Sequence, residues 1–217
     1  MHLTIACCLW GDFPDTGWSE EYVRRLRDGV SRNTKVPYRF VCFADRQLYI
    51  DGIEHRRLNP PSWKGILPKT YVYSSDAGLE GRVLLFDLDN VIVGDLSDML
   101  AYDGPLCVRG RLQHGRNRQP DGDMISFVGG SDTAKELWEK ACAPDIEQRS
   151  QGGREREFIL WARPKCDQWQ DVCPGQVVSY RHHCRGGRLP PNARVVSCHG
   201  KPRPHSITDD FIVQNWR

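Results

Sequence analysis

The chain has 217 residues, of which 39% are hydrophobic and 27% are charged, and its formal net charge is +2. This composition is typical of a folded globular protein and excludes an intrinsically disordered chain. The longest apolar runs, such as 83–86, are too short to cross a bilayer. The length predicts one domain over 1–217 rather than two domains.

The first half of the chain reads as strand, helix and strand. The apolar run 3–9 predicts a buried first strand. Ser19 is a candidate N-cap, and the residues after it repeat apolar side chains at helical spacing. A second strand is expected at 38–43. Because a strand, helix and strand in this order form a parallel pair, the pattern predicts an α/β fold with a mostly parallel sheet flanked by helices.

The rest of the chain continues this alternation, with a central buried strand at 82–86. We expect further strands at 106–108, 124–128, 176–180 and 194–198, and helices at 69–75, from Ser131 or Asp132 onward, at 154–162 and at 207–216.

The sequence contains nine cysteines, an odd number, and their spacing is irregular. The N-terminus runs directly into a strand-like segment and lacks the features of a signal peptide. We therefore expect reduced thiols and a cytoplasmic protein.

Asp87 and Asp89 follow the central strand directly. If the strand conformation continues, alternation places both carboxylates on one face, where they form a hard oxygen site for Mg²⁺ or Mn²⁺. Near the end of the chain, His199 could supply a nitrogen ligand, and Lys201 could bind a phosphate as a point charge. A solvated loop with two aspartates and an ordinary Gly-Pro turn are the alternative interpretations.

The segment 82–96 resembles the metal-site strand of GT-A-fold glycosyltransferases, and it is closest to the glycogenin-like and lipopolysaccharide galactosyltransferase-like branch, family 8. His199-Gly200-Lys201-Pro202 matches the late metal motif of that branch in compressed form. The resemblance implies a single GT-A-type, Rossmann-like domain. It also implies a metal site of Asp87, Asp89 and His199, with Mn²⁺ or Mg²⁺ as the ion.

The same resemblance implies a nucleotide-sugar donor, most naturally a UDP-hexose, and transfer with retention. It assigns 1–95 to the nucleotide-sugar half and 96–217 to the acceptor side. It implies that the donor is contacted by Cys8, Trp10, Asp45, Lys69, Asp87 and Lys201. Lys64 is the second match for the donor lysine.

Two segments depart from the family pattern. The segment 122–127 replaces the family's Asn-Ser/Thr-Gly segment, and Glu155-Arg156 replaces Asp-Gln. Asp123 and Glu155 are the acidic candidates for catalysis near the expected sugar pocket, with an ordinary loop or helix-cap acid as the alternative for each.

Three other functions remain open. One is a metal-dependent phosphohydrolase or nuclease, which would use Asp87 and Asp89 for hydrolysis. Another is a zinc-binding module built from cysteines and histidines of the last third of the chain, although their spacing lacks C-x₂-C pairs. The third is a sugar-nucleotide-binding protein without activity.

A basic cluster follows the metal strand, and its members are Arg109, Arg111, His114, Arg116 and Arg118. Such a run is usually a solvated loop, but it could also bind an anionic acceptor. We expect the acceptor to be a glycan, a lipid-linked sugar or a protein, with nucleic acid as a minority hypothesis.

Overall fold

The computed structural model describes residues 3–11, 17–111, 119–163 and 166–217. The strands, in chain order, are β1 (Leu3–Leu9), β2 (Arg39–Ala44), β3 (Glu54–Arg57), β4 (Gly81–Phe86), β5 (Asn90–Ile92), β6 (Leu106–Gly110), β7 (Pro120–Gly129), β8 (Asp167–Gln168), β9 (Val177–Ser179) and β10 (Val195–Ser197). The α-helices are α1 (Glu20–Arg32), α2 (Ser97–Leu100), α3 (Asp132–Ala141), α4 (Ile146–Arg149), α5 (Glu155–Ala162), α6 (Trp169–Val172), α7 (Tyr180–His183) and α8 (Asp210–Asn215).

A seven-stranded sheet in the order β3-β2-β1-β4-β7-β6-β8 forms the centre of the molecule. Its strands run parallel except β7, which is antiparallel to both of its neighbours. β1 and β4 are apolar and buried on both faces, as expected for parallel strands covered by helices. The predicted mixed, mostly parallel sheet flanked by helices is confirmed.

A small second sheet in the order β5-β10-β9 lies beside the first. β5 begins only four residues after β4 ends, and it pairs antiparallel with β10, with Val91 opposite Val196. This pairing brings the late segment of the chain next to the turn at 87–89. The small sheet therefore explains how residues far apart in sequence reach one site.

Two apolar clusters cover the two faces of the large sheet. One contains α1, the small sheet and α8, with Leu26, Ile92 and Ile212 among its buried residues. The other contains α3, α5 and the 3₁₀ helix Leu67–Tyr73, with Leu137 and Phe158. Helix α1 is amphipathic, and its arginines lie on the side away from the sheet.

Local structure departs from the sequence predictions in several places. The helix expected at 69–75 is the 3₁₀ helix Leu67–Tyr73, which begins at a proline-containing turn. The C-terminal helix is limited to α8, after a 3₁₀ turn at Pro204–Ser206. Within the described ranges, no helix combines the length and the apolar composition needed to cross a membrane.

Candidate active site

The ends of β1, β2 and β4 lie at one edge of the large sheet. Leu9 pairs with Ala44, and Cys7 pairs with Phe86, so the residues that follow these strands emerge side by side. Asp45 and Asp87 are the first residues after their strands. This carboxyl edge is where open α/β sheets usually bind ligands.

Asp45 fastens the loop that follows β1. Its Oδ2 accepts a hydrogen bond from the Gly11 amide at 2.7 Å, and its Oδ1 accepts from Arg46 Nε at 2.8 Å. Burial alone would raise the pKa of Asp45, but the hydrogen bonds from Arg46 and Gly11 outweigh it and lower the pKa. Trp10 is buried with its ring edge-on to Trp18 at 6.3 Å.

Lys69 joins two acidic residues from different parts of the chain. Its Nζ lies 2.5 Å from Asp87 Oδ1 and 2.7 Å from Glu155 Oε1, and it donates to the Gly122 carbonyl at 2.6 Å. The lysine side chain is only 4% exposed. A buried ammonium group with three oxygen acceptors is fully paired, which is the condition under which a buried charge is tolerated.

The pKa values of this group reflect its burial. Burial alone would lower the pKa of Lys69, but Asp87 and Glu155 outweigh it and raise the pKa, so the lysine stays charged. Burial raises the pKa of Glu155 to about 8, although Lys69 opposes the rise. Cys8 is buried within range of the charges of Lys69, Asp87 and Glu155, and burial raises the pKa of its thiol.

Asp123 lies in the interior, next to this group. Its Oδ1 accepts from Arg109 Nε, and its Oδ2 accepts from the Ser197 hydroxyl. Arg109 also donates to Asp121 Oδ2 at 2.8 Å. The arginine is therefore held between two carboxylates of β7, and its pKa is raised because those carboxylates outweigh the effect of burial.

The interpretation of the basic cluster changes with this finding. Arg109 is 3% exposed and points into the site, because it neutralises the acidic residues of β7, so it is not part of a solvated loop. Arg111 is exposed. His114, Arg116 and Arg118 lie outside the described residues.

The chain turns at 87–89 and does not continue as a strand, so the condition under which alternation would align Asp87 and Asp89 on one face is not met. Asn90 stabilises the turn, since its side-chain amide donates to the carbonyls of Asp87 at 3.1 Å and Asp123 at 2.9 Å. The two aspartates nevertheless interact electrostatically. Burial and then the charge of Asp87 raise the pKa of Asp89 to about 7.

Asp89 is held by the late segment of the chain. Its backbone carbonyl accepts from the Cys198 amide at 3.0 Å, and its Oδ2 accepts from Arg203 Nη1. The other carboxylate oxygen, Oδ1, is buried and has no hydrogen-bond partner among the described residues. A buried carboxylate oxygen without a partner is unfavourable unless a cation completes its environment.

His199 lies two residues after β10. Its Nε2 is 2.9 Å from the Ser179 hydroxyl, and its ring stacks on His182 with centroids 5.9 Å apart. Burial, with a contribution from Arg109, lowers the pKa of the imidazole, which favours its neutral form. Lys201 is exposed at the rim of an open cavity of about 560 Å³.

The fit of a divalent cation to this site depends on the chemistry of the donor atoms. Two carboxylates and a neutral imidazole suit Mn²⁺ or Mg²⁺, and the unpaired oxygen of Asp89 favours a cation. However, Asp87 and Asp89 are already paired with Lys69 and Arg203. Among the described residues, no three His, Cys, Asp or Glu side chains are arranged as a coordination group, and this includes the cysteine- and histidine-rich last third.

Two residues of the site, Ser197 and Arg203, were not predicted from the sequence, and Arg109 was predicted only as part of a basic cluster and not as the partner of Asp121 and Asp123. A charged residue in the otherwise buried strand β6 is a signal that could have revealed Arg109. Arg203 lies between two prolines in a segment that reads as a surface turn, and no local pattern indicates its partner.

All nine cysteines lie within the described residues, and all are free.

Comparisons with known proteins identify solved structures with a similar fold. No family model matches the chain, and no curated protein matches it. Among solved structures, the glycosyltransferase GlyE of Streptococcus pneumoniae TIGR4 is similar with a TM-score of 0.67 and 11% identity, over 99% of this chain and 61% of GlyE.

Two further glycosyltransferases are similar. A galactosyltransferase, LgtC, in complex with donor and acceptor sugar analogues, gives a TM-score of 0.65 at 10% identity, over 97% of this chain and 93% of LgtC. The bifunctional enzyme WbbM gives 0.66 at 9% identity, over 99% of this chain and 49% of WbbM. The chain thus spans about three fifths of GlyE, half of WbbM and nearly all of LgtC. It shares the GT-A-type α/β fold of these glycosyltransferases.

Proposed function

We propose that the chain is a glycosyltransferase that moves a hexose from a nucleotide sugar, with UDP as the nucleotide, to an acceptor. The observation that carries the proposal is the cluster of Lys69, Asp87, Asp89 and Asp123 at the carboxyl edge of this fold. In the same fold, LgtC was crystallised with donor and acceptor sugar analogues. Acids at this edge could hold a cation that binds a charged diphosphate, and they could also accept hydrogen bonds from the hydroxyl groups of a sugar.

The metal would be held by Asp87, Asp89 and His199. A bound Mn²⁺ or Mg²⁺ supplies Lewis-acid stabilisation of the negative charge that develops on a departing diphosphate. Lys201, exposed at the cavity rim, would bind a phosphate oxygen from the solvent side. Lys69 positions Asp87 and Glu155 and keeps them paired when the site has no ligand.

The nucleoside would lie against the loop that follows β1. Cys8 and Trp10 line the end of that strand, and Asp45 fixes the loop through the Gly11 amide. On the sugar side, Asp123 and Glu155 remain the acidic candidates for catalysis. Glu155 is the more accessible of the two, with a side chain 13% exposed compared with 7% for Asp123. Retention of configuration is part of the proposal.

The division into a nucleotide-sugar half, 1–95, and an acceptor half, 96–217, stays a prediction, as does a cytoplasmic location. The acceptor proposed first is a glycan, because LgtC was crystallised with an acceptor sugar analogue. Lipid-linked and protein acceptors belong to the same proposal. Nucleic acid is kept as an acceptor to test, although Arg109 no longer contributes to a basic surface.

The direct test is a transfer assay with purified chain, UDP-hexoses, Mn²⁺ and a panel of acceptor sugars. We expect UDP to be released in step with a hexose mass increment on one acceptor. Asp89→Ala should abolish the release, whereas Asp103→Ala, which changes an exposed aspartate, should leave it unchanged.

Other results in this assay would favour the alternative functions. Release of inorganic phosphate without a glycosylated product would indicate a phosphohydrolase. Donor binding without turnover would indicate a binding protein. A salt-sensitive mobility shift of labelled duplex DNA would support a nucleic-acid acceptor, because phosphate contacts weaken as salt rises.

A further inference from the structure

Arg203 is paired with one of the two carboxylates that would hold the proposed metal. It donates to Asp89 Oδ2, while Oδ1 of the same carboxylate is buried without a partner in the described part of the chain. Asp89 is 6% exposed and Arg203 is 16% exposed, so the pair is largely withdrawn from solvent. The described part of the chain thus supplies a partner for only one of the two carboxylate oxygens.

The guanidinium of Arg203 is incompletely satisfied. Its Nε is buried without a hydrogen-bond partner among the described residues, and its charge lies 5.5 Å from the ring centroid of Trp18. Prolines 202 and 204 flank the arginine, and the segment lines the open cavity near Lys201. A guanidinium offers five donors, so this one has capacity for a second anionic partner.

Lys69 and Arg203 differ as counter-ions of the aspartate pair. Lys69 is 4% exposed and has three oxygen acceptors on fixed elements, so releasing it would be costly. Arg203 makes one hydrogen bond to Asp89 from an open segment at the cavity. A divalent cation repels a positively charged side chain bound to the same carboxylate. Of the two counter-ions, Arg203 has fewer partners to lose and is therefore the one that a bound cation would displace.

We infer that Arg203 is the counter-ion of Asp89 in the metal-free protein, that a divalent cation displaces it, and that the released guanidinium then binds the donor diphosphate. This inference rests on the proposed function. It assigns Arg203 two successive partners, a carboxylate and a phosphate, and both are anions that a guanidinium binds well. Metal binding and donor binding are thereby coupled through one side chain.

The test measures Mn²⁺ binding to donor-free protein by the loss of the free-Mn²⁺ electron paramagnetic resonance signal. Removing a competing charged hydrogen bond should make Arg203→Gln bind Mn²⁺ about tenfold or more tightly than wild type. With saturating Mn²⁺, the same variant should bind UDP about tenfold more weakly, because the phosphate loses a charged partner. Arg188→Gln, which changes an exposed arginine, is the matched control and should change neither affinity.

Arg203→Gln leaves Asp89 unpaired and could unfold the metal-free protein, so melting with and without Mn²⁺ is measured in parallel. Recovery of the folded state by Mn²⁺ supports the inference. Failure of Mn²⁺ to restore a folded state overturns the inference. Mn²⁺ affinity that is equal in the variant and wild type, or Mn²⁺ binding that is undetectable in both, also overturns it. Unchanged UDP affinity of the variant does the same. Sugar transfer by wild type is measured separately, so a failed inference is distinguishable from a failed function.

Discussion

At the scale of single residues, the site is a set of buried and partly buried ionisable side chains that pair with one another. Lys69 and Arg109 each lie between two carboxylates, and Arg203 is paired with Asp89. Buried pairs of this kind contribute little net stability, because desolvation offsets their attraction, but breaking one is costly. Substitutions here should therefore affect stability as well as ligand binding.

Lys69→Met tests the central cation. The substitution leaves the partly exposed carboxylate of Asp87 and the side chain of Glu155 without their shared partner, so we expect a loss of about 3 kcal/mol in the free energy of unfolding at pH 7. The loss should shrink at low pH, where the acids become protonated. Urea denaturation measures it, and Lys64→Met, which changes an exposed lysine close by in sequence, should cost little. Equal costs for the two variants would contradict the ion-pair assignment.

Glu155 predicts a dependence of stability on pH. Its pKa rises from 4.5 to about 8 because of burial. Between these values the folded state binds more protons than the unfolded state, so stability is present at low pH and falls as pH rises through the interval. Glu155→Gln removes the titration, and we expect it to flatten this fall by an amount on the order of 4 kcal/mol.

Urea denaturation from pH 4.5 to 8 measures this effect. Glu139→Gln, at an exposed position of α3, should keep the wild-type slope. An identical slope in wild type and Glu155→Gln would show that Glu155 does not titrate in this range.

At the scale of elements, the site depends on close packing between β7 and α5. A Cβ at Gly122 would lie 1.9 Å from Glu155 Cδ, so only glycine allows α5 to bring that carboxylate to Lys69. The small sheet makes the second essential contact, because β10 carries Ser197 to Asp123 and is followed by the segment that reaches Asp89. Short elements therefore do much of the positioning.

Gly122→Ala tests this packing. The added methyl group should displace Glu155 and cost about 1–3 kcal/mol, as overpacking does in a close-packed interior. In a Glu155→Ala background the clash is absent, so the same substitution should cost much less, and the double-mutant cycle gives the difference. A cost that is unchanged in the double mutant would mean that Gly122 is required for another reason.

At the scale of the whole molecule, part of the fold and part of the site could be predicted from the sequence. The apolar strands β1 and β4 and helix α1 were predictable because each has a clear local pattern. The sequence also indicated Asp87, Asp89 and Lys69 through their resemblance to a known family, and the structure places them at one sheet edge. In the small sheet, β9 and β10 lie within the strands expected at 176–180 and 194–198, whereas the three-residue strand β5 and the pairing of the three strands were not predicted.

The remaining residues of the site could not be predicted because their partners are distant in sequence. Arg203 and Asp89 are 114 residues apart, and Ser197 and Asp123 are 74 apart. Such contacts depend on how β10 pairs with β5, which no local periodicity specifies. The turn at 87–89 was missed for a related reason, since the side chain of Asn90 and the carbonyl of Asp123 stabilise it across the sheet.

Donor binding by the whole molecule is measured most directly by thermal unfolding with UDP-hexoses, with and without Mn²⁺. A donor at about one hundred times its Kd should add about 2.7 kcal/mol, which raises the melting temperature by about 5–10 °C in a chain of this size. We expect this rise for wild type with Mn²⁺ and its loss in Asp89→Ala. Unchanged melting of wild type with every nucleotide sugar and either metal ion would contradict the proposed donor binding.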